Sequence, residues 1–281
     1  MSANQKQIKP RPGLPLFYQS PAVLHFGEHR TLGLAAADGY AYSADAAAVP
    51  LGAGEFMPAV RHYPIVFANA ADPMPLAVIG IQQRNLQLED DGASWRADHY
   101  IPAYIRRYPF IIVDTAEPDQ HLLALEMASS RVVDTSQTEG ERFFDPQGGQ
   151  ASAMAMQAMV LCRAYHEDHA RTQAFAQALQ AQGLLIEQKV EFTLATGERL
   201  LLDGFKGIDR AALSQLSAQT VQAWHAAGWL DLIALHLASQ QNWKLLVDRH
   251  VAMTTPKPLL KRKPVKRIVH AKDNELLKAV A

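Results

Sequence analysis

Short apolar runs broken by proline, glycine and charged clusters fill the chain up to about residue 150, and beyond it a period of three to four takes over. The first half contains one unit twice. PAVRHYPIVFA, from Pro58 to Ala68, and PAYIRRYPFIIVD, from Pro102 to Asp114, each open on Pro-Ala, carry basic residues before Tyr-Pro, and continue into a β-branched and aromatic run. Proline fixes its own φ and pushes the preceding residue out of the helical region, so Tyr63-Pro64 and Tyr108-Pro109 predict helix-to-strand switches. Asp72-Pro73 and Glu117-Pro118 mark turns ahead of second strands at Leu76 to Ile81 and Leu122 to Met127. Two copies of one supersecondary unit tend to bury their apolar faces together, which would set both corners beside one groove. Arg61, Tyr63, Trp95, Tyr100, Arg106, Arg107 and Tyr108 are its candidate lining, with the planar guanidinium groups suited to clamp an anion or carboxylate. Arginine at a helix end also complements the helix dipole, a purely structural role for the same residues.

Around these units the pattern is less regular. Residues 1 to 20 lack periodicity and read as a mobile arm. AVLHF and TLGLAAA predict two strands about a turn at residues 27–30, and Asp91-Gly92 predicts a tight turn ahead of Trp95. SSRVVDTSQTEG reads as a loop. From Ala151 to Gln182 neither Gly nor Pro occurs, and Ala158, Cys162, Tyr165, His169, Thr172, Ala176 and Leu179 trace one face of a long helix that Gly183 ends. VEFTLATGERLLLDGF, from Val190 to Phe205, alternates on either side of Thr196-Gly197 and is the clearest hairpin. A short helix follows Ile208-Asp209. A last helix, N-capped by Ser217, runs on to His250 with Gly228 as a candidate break. The expected class is α+β: a mixed, β-rich half at about 21 to 150 and a helix-dominated half at 151 to 253, forming one domain or two.

The chain has 281 residues, is 48% hydrophobic and has a single cysteine, so it can bury a sizeable core but cannot close an internal disulfide. Mean hydropathy is −0.11. No run approaches the roughly 18 apolar residues of a membrane span and no signal-like stretch opens the chain, so a cytoplasmic location is expected. The net charge of −1 is unevenly placed. From Pro256 onward eight Lys or Arg face only Asp273 and Glu275, which leaves an acidic body and a basic tail over residues 254 to 281. Lys261, Arg262, Lys263, Lys266 and Arg267 are its densest part and could contact an anionic partner. No aromatic residue is interleaved there for base stacking, which argues against nucleic acid.

Complete catalytic signatures are missing. No GxSxG elbow, GxGxxG fingerprint or GxxxxGK[ST] loop occurs, and Cys162 lies on the apolar helix face as a small hydrophobe. His166-Glu167-Asp168 matches the His-x-Asp of an iron facial triad, with His225 or His236 as a formal third ligand. Mid-helix, however, positions i and i+2 point apart. His236 near Ser239 reads more simply as a buried imidazole bonded to a neighbouring group. The expected reading is a protein without catalysis, metal or cofactor whose partner is another protein. An iron-dependent oxygenase-like enzyme using His166, Asp168 and His236 is the alternative.

VPLGAGEFMPAVRHYPIVF, IGIQQRNLQL and SWRADHYIPAYIRRYPFIIVD, followed by ALQAQGLLIEQKVEF, LLDGFKGID and AGWLDLIALHLASQQNWKLLV, resemble the bacterial SapC family from roughly Pro21 to Val251. The resemblance implies no established active-site residues. Its family name implies a surface-layer association, some members are labelled peptide-transport permeases, and a surface-layer structural role is a further alternative. Members often stand beside TonB-dependent transporters, flavin-dependent halogenase-like proteins and cupin-like or hydroxylase-like proteins, which implies an accessory role in nutrient uptake or peptide modification.

Overall fold

A computed structural model describes residues 13–254, apart from 38, 118, 119, 195, 196 and 198. The basic tail therefore lies outside the described residues. Of the arm expected over residues 1 to 20, the described part is packed at its end, where the buried Tyr18 donates its hydroxyl to the Phe110 carbonyl at 2.6 Å.

Chain order is β1 (Pro21–Val23), α1 (Phe26–His29), β2 (Leu32–Leu34), β3 (Ala48–Pro50), α2 (Phe56–Ala59), β4 (Ile65–Ala68), β5 (Pro75–Val78), β6 (Gly80–Ile81), β7 (Arg84–Asn85), α3 (Ala103–Arg106), β8 (Phe110–Asp114), β9 (His121–Glu126), β10 (Val132–Asp134), β11 (Glu141–Arg142), α4 (Ala153–Ala181), β12 (Leu185–Thr193), β13 (Arg199–Ile208), α5 (Arg210–Leu213), α6 (Ala218–Ala226), α7 (Trp229–Ser239) and α8 (Asn242–Thr254). Both Tyr-Pro corners switch helix to strand. The turn of α2 leads through Tyr63-Pro64 into β4, and α3 leads through a cis Tyr108-Pro109 bond into β8. Each strand then folds back on its successor, with Ile65 opposite Ala77 and Phe110 opposite Leu125.

The two hairpins nevertheless enter different sheets. One sheet runs β12-β13-β4-β5-β3, the other β1-β9-β8. β3 and β1 take the outer edges of β5 and β9 alike, but Phe205 and Lys206 of β13 add to β4, whereas β8 ends its sheet among the described residues. Edge occupancy, which local pattern does not carry, separates the two copies.

Two other expectations are corrected by long-range pairing. Residues 27–29 belong to the helical turn α1, capped by the His25 side chain on the Gly27 amide with Arg30 at its C-cap, and β1 and β2 part into separate sheets rather than forming a hairpin. The stretch read as a loop after Ser129 contains β10, which pairs with β2. On the same β2, Gly33 allows close approach of β11, since a Cβ there would lie 2.5 Å from the Glu141 carbonyl oxygen.

The second half follows its periodicity closely. Ser152 caps α4 by accepting from the Ala155 amide, and Gly183, at φ +67°, ends it. Ala155, Ala158, Cys162, Thr172, Phe175, Ala176 and Leu179 are its buried face. The last helical stretch is cut twice rather than once. Gly228, at φ +73°, separates α6 from α7, and Gln240-Gln241 separates α7 from α8. The main core draws on Val49, Phe56, Tyr63, Phe67 and Ile105 from the first half and on Phe175, Leu179, Trp224 and Ile233 from the second. Because the β12-β13 hairpin also completes the five-stranded sheet, the halves share both sheet and core.

Candidate functional site

The residues proposed for the groove fall at three depths. Tyr63, Trp95, Arg107 and Tyr108 are buried, Tyr100 is half-buried, and Arg61 and Arg106 are exposed. What ties the turn ahead of the first corner to the helix ahead of the second is a residue outside that set, Glu55. Its Oε1 accepts from the Tyr100 hydroxyl at 2.8 Å and from the Ala103 amide at 2.6 Å, while Oε2 accepts from the Gly52 amide at 3.0 Å. A carboxylate just ahead of α2 thus caps α3, the helix that leads to the second corner. Burial pushes the Glu55 carboxyl up from the ordinary carboxylate range against the pull of its donors, and burial with the adjacent Glu55 pushes the Tyr100 phenol up to about 12.

Beneath this carboxylate the Tyr63 hydroxyl donates to the Tyr100 carbonyl and accepts from the Trp95 indole at 3.3 Å. Arg106 donates to the Ile101 carbonyl at 3.0 Å and to the Tyr100 hydroxyl at 3.3 Å. Its neighbour Arg107 points inward, with the guanidinium carbon 4.3 Å from the centre of the Tyr165 ring, 4.5 Å from Tyr104 and 5.7 Å from Tyr18. Successive helix positions face different ways, so one arginine supports the core through ring faces and the other reaches the surface. Tyr108 stacks on Tyr42 at 4.1 Å, and with Tyr40, Ile105, Arg106 and Arg131 the two rings line a cleft of about 160 Å³.

The glycine-rich turn ahead of α2 has its amide donors occupied from within. Gly52 donates to Glu55, Ala53 to Thr172 Oγ1 at 2.7 Å, and Gly54 to Asp168 at 3.0 Å. A Cβ at Gly52 would sit 2.0 Å from Asp168 Oδ2, so glycine is required for this approach. Asp168 is thereby engaged with the turn and with Arg171.

His236 is engaged elsewhere. It is buried against Phe67, accepts from the Ile208 amide at 3.3 Å, and is held down to about 4 by burial. Ser239 beside it receives the Ile65 amide at 2.9 Å. The formal triad of His166, Asp168 and His236 is therefore not assembled: each of the last two serves a different part of the fold, and His225 is exposed on α6.

Among the described residues, His166 instead meets Asp114 and His121, whose potential ligand atoms and its own all lie within 4.8 Å of one another. Sequence reasoning missed this set because its members lie on β8, β9 and α4. The only local sign was the placement of Asp114 and His121 at facing ends of one predicted hairpin.

The first turns of α4 expose a different feature. Met156 and Val160 are 55% and 68% exposed, and with Ala153, Gln157, Leu161 and Ala164 they line a shallow groove of about 550 Å³ without a charged side chain.

Fold and surface together define an α+β protein in which two Tyr-Pro hairpins are braced by one long helix, with that helix left partly uncovered. The chain belongs to the SapC family, whose sequence model matches residues 24–246. No curated protein and no solved structure matches it. Among the described residues no helix is long and apolar enough to cross a membrane.

Proposed function

We propose that this chain is an accessory or binding protein without catalysis of its own, working in the cytoplasm by docking another protein along the first turns of α4. The observation that carries this reading is the uncharged groove around Met156 and Val160. Its lining recurs at intervals of three and four, the spacing by which one helix receives the ridge of another, and methionine adapts its shape to such a partner. The occupant is an amphipathic helix of a partner protein. Covering two large apolar side chains contributes roughly 1.5–3 kcal/mol each before the cost of association, which suits a transient complex. The SapC resemblance directs the search for that partner to proteins of TonB-dependent uptake and to halogenase-like or hydroxylase-like proteins.

The test places a photo-reactive residue at Val160 and, as a control, at the exposed Leu201 of β13. The expected result is one adduct from position 160 alone, identified by mass spectrometry and rebuilt from purified components, with binding weakened at least about tenfold by Met156→Asp. Identical adducts from both positions, an adduct of the doubled chain mass, or none at all would overturn the reading.

A further inference from the structure

Asp114 closes β8 and His121 opens β9, and the antiparallel register sets them directly opposite each other. Opposed residues in a ladder share a face. Phe110 and Ile112 precede Asp114 at alternate positions of β8, and both pack in the core cluster that includes Ala155, Ala158 and Cys162 of α4. The same face therefore carries the Asp114 and His121 side chains towards that helix, where His166 meets them.

His121 Nδ1 lies 2.9 Å and His166 Nε2 4.0 Å from the same Asp114 oxygen, and the two imidazole rings stand 4.8 Å apart at 54°. We propose that these three side chains form a binding site for a borderline divalent transition metal, Zn²⁺ being the simplest occupant.

Two imidazoles and one carboxylate are the donor set that such ions prefer over Mg²⁺ or Ca²⁺, which take oxygen ligands. Donors about 2.0–2.1 Å from a tetrahedral ion stand about 3.3 Å apart, so the set closes by about 1.5 Å at most. Freedom for that movement exists where it is needed: the side chains of Asp114 and His166 are 68% and 43% exposed, while His121, at 16%, is held in the hairpin. A plain Asp114–His121 ion pair would contribute only about 0–1 kcal/mol and gives the second imidazole no role. Three protein ligands leave at least one position for water or another small ligand, and they join α4 to the β8-β9 hairpin, so binding stabilises the fold as well. This inference stands apart from the groove around Met156 and Val160.

The test is titration of the full chain, freed of metal by chelator and dialysis, with Zn²⁺ by calorimetry and with Co²⁺ by visible absorption, alongside thermal unfolding. Wild type and the control His225→Ala are expected to bind one equivalent, with a rise in Tm. His121→Ala and His166→Ala are each expected to weaken binding at least about tenfold and to abolish the rise, and Asp114→Asn, at a position 68% exposed, is expected to weaken it as well. Circular dichroism without metal checks that each variant is folded. Absence of saturable binding, or binding that is unchanged in either histidine variant, would overturn the site.

Discussion

Replacing Glu55 by alanine would strip the acceptor from three donors at once: the Gly52 amide, the Ala103 amide and the Tyr100 hydroxyl. Each of the two buried amides left without a partner costs roughly 1–3 kcal/mol, so the gross loss is roughly 2–6 kcal/mol, the half-buried Tyr100 hydroxyl adding little. Relief from burying a carboxylate returns part of it, which leaves a net cost of about 2–4 kcal/mol. For a chain of this size that corresponds to a fall in Tm of about 5 °C. Urea unfolding followed by circular dichroism measures the difference. Glu55→Gln keeps one acceptor oxygen for Tyr100 and Ala103 but turns an amide towards Gly52, and should cost about 1–3 kcal/mol. A loss below about 1 kcal/mol for Glu55→Ala would refute the idea that this carboxylate holds the turn ahead of α2 to the start of α3.

Two further outcomes follow from other buried groups. His236 is held at about 4 against an ordinary 6.5, so the folded chain keeps it neutral where the unfolded chain takes up a proton; stability from this residue is intact above 6.5, falls by about 2 kcal/mol by pH 5, and is lost in full below about 4. Unfolding at pH 7 and pH 5 should show a smaller difference in His236→Gln than in wild type, and equal differences would contradict the assignment. Arg107→Lys should destabilise by roughly 1–2 kcal/mol, because a compact ammonium cannot lie flat against Tyr18, Tyr104 and Tyr165 together; an unchanged urea midpoint would show that the ring contacts contribute nothing.

Features under the control of short-range sterics and periodicity are legible along the chain. Tyr63-Pro64 and Tyr108-Pro109 had to end their helices, since proline restricts both itself and its predecessor. Gly183 and Gly228 stop helices at positive φ, where a side chain would be strained, and the buried face of α4 follows the period of its apolar residues. Tertiary structure alone decided the rest. The two copies of the Tyr-Pro unit look alike locally but join different sheets, and β13 adds to β4 of one while β8 of the other ends its sheet among the described residues. Arg106 and Arg107 are equivalent as letters, yet only Arg107 meets three rings supplied by distant segments. His166 and Asp168 are neighbours in sequence, and helix geometry sends one towards Asp114 and the other to the Gly54 amide. Convergence of Asp114, His121 and His166 needs a strand register and a helix packed upon it, and those are set by burial of residues far from any of the three.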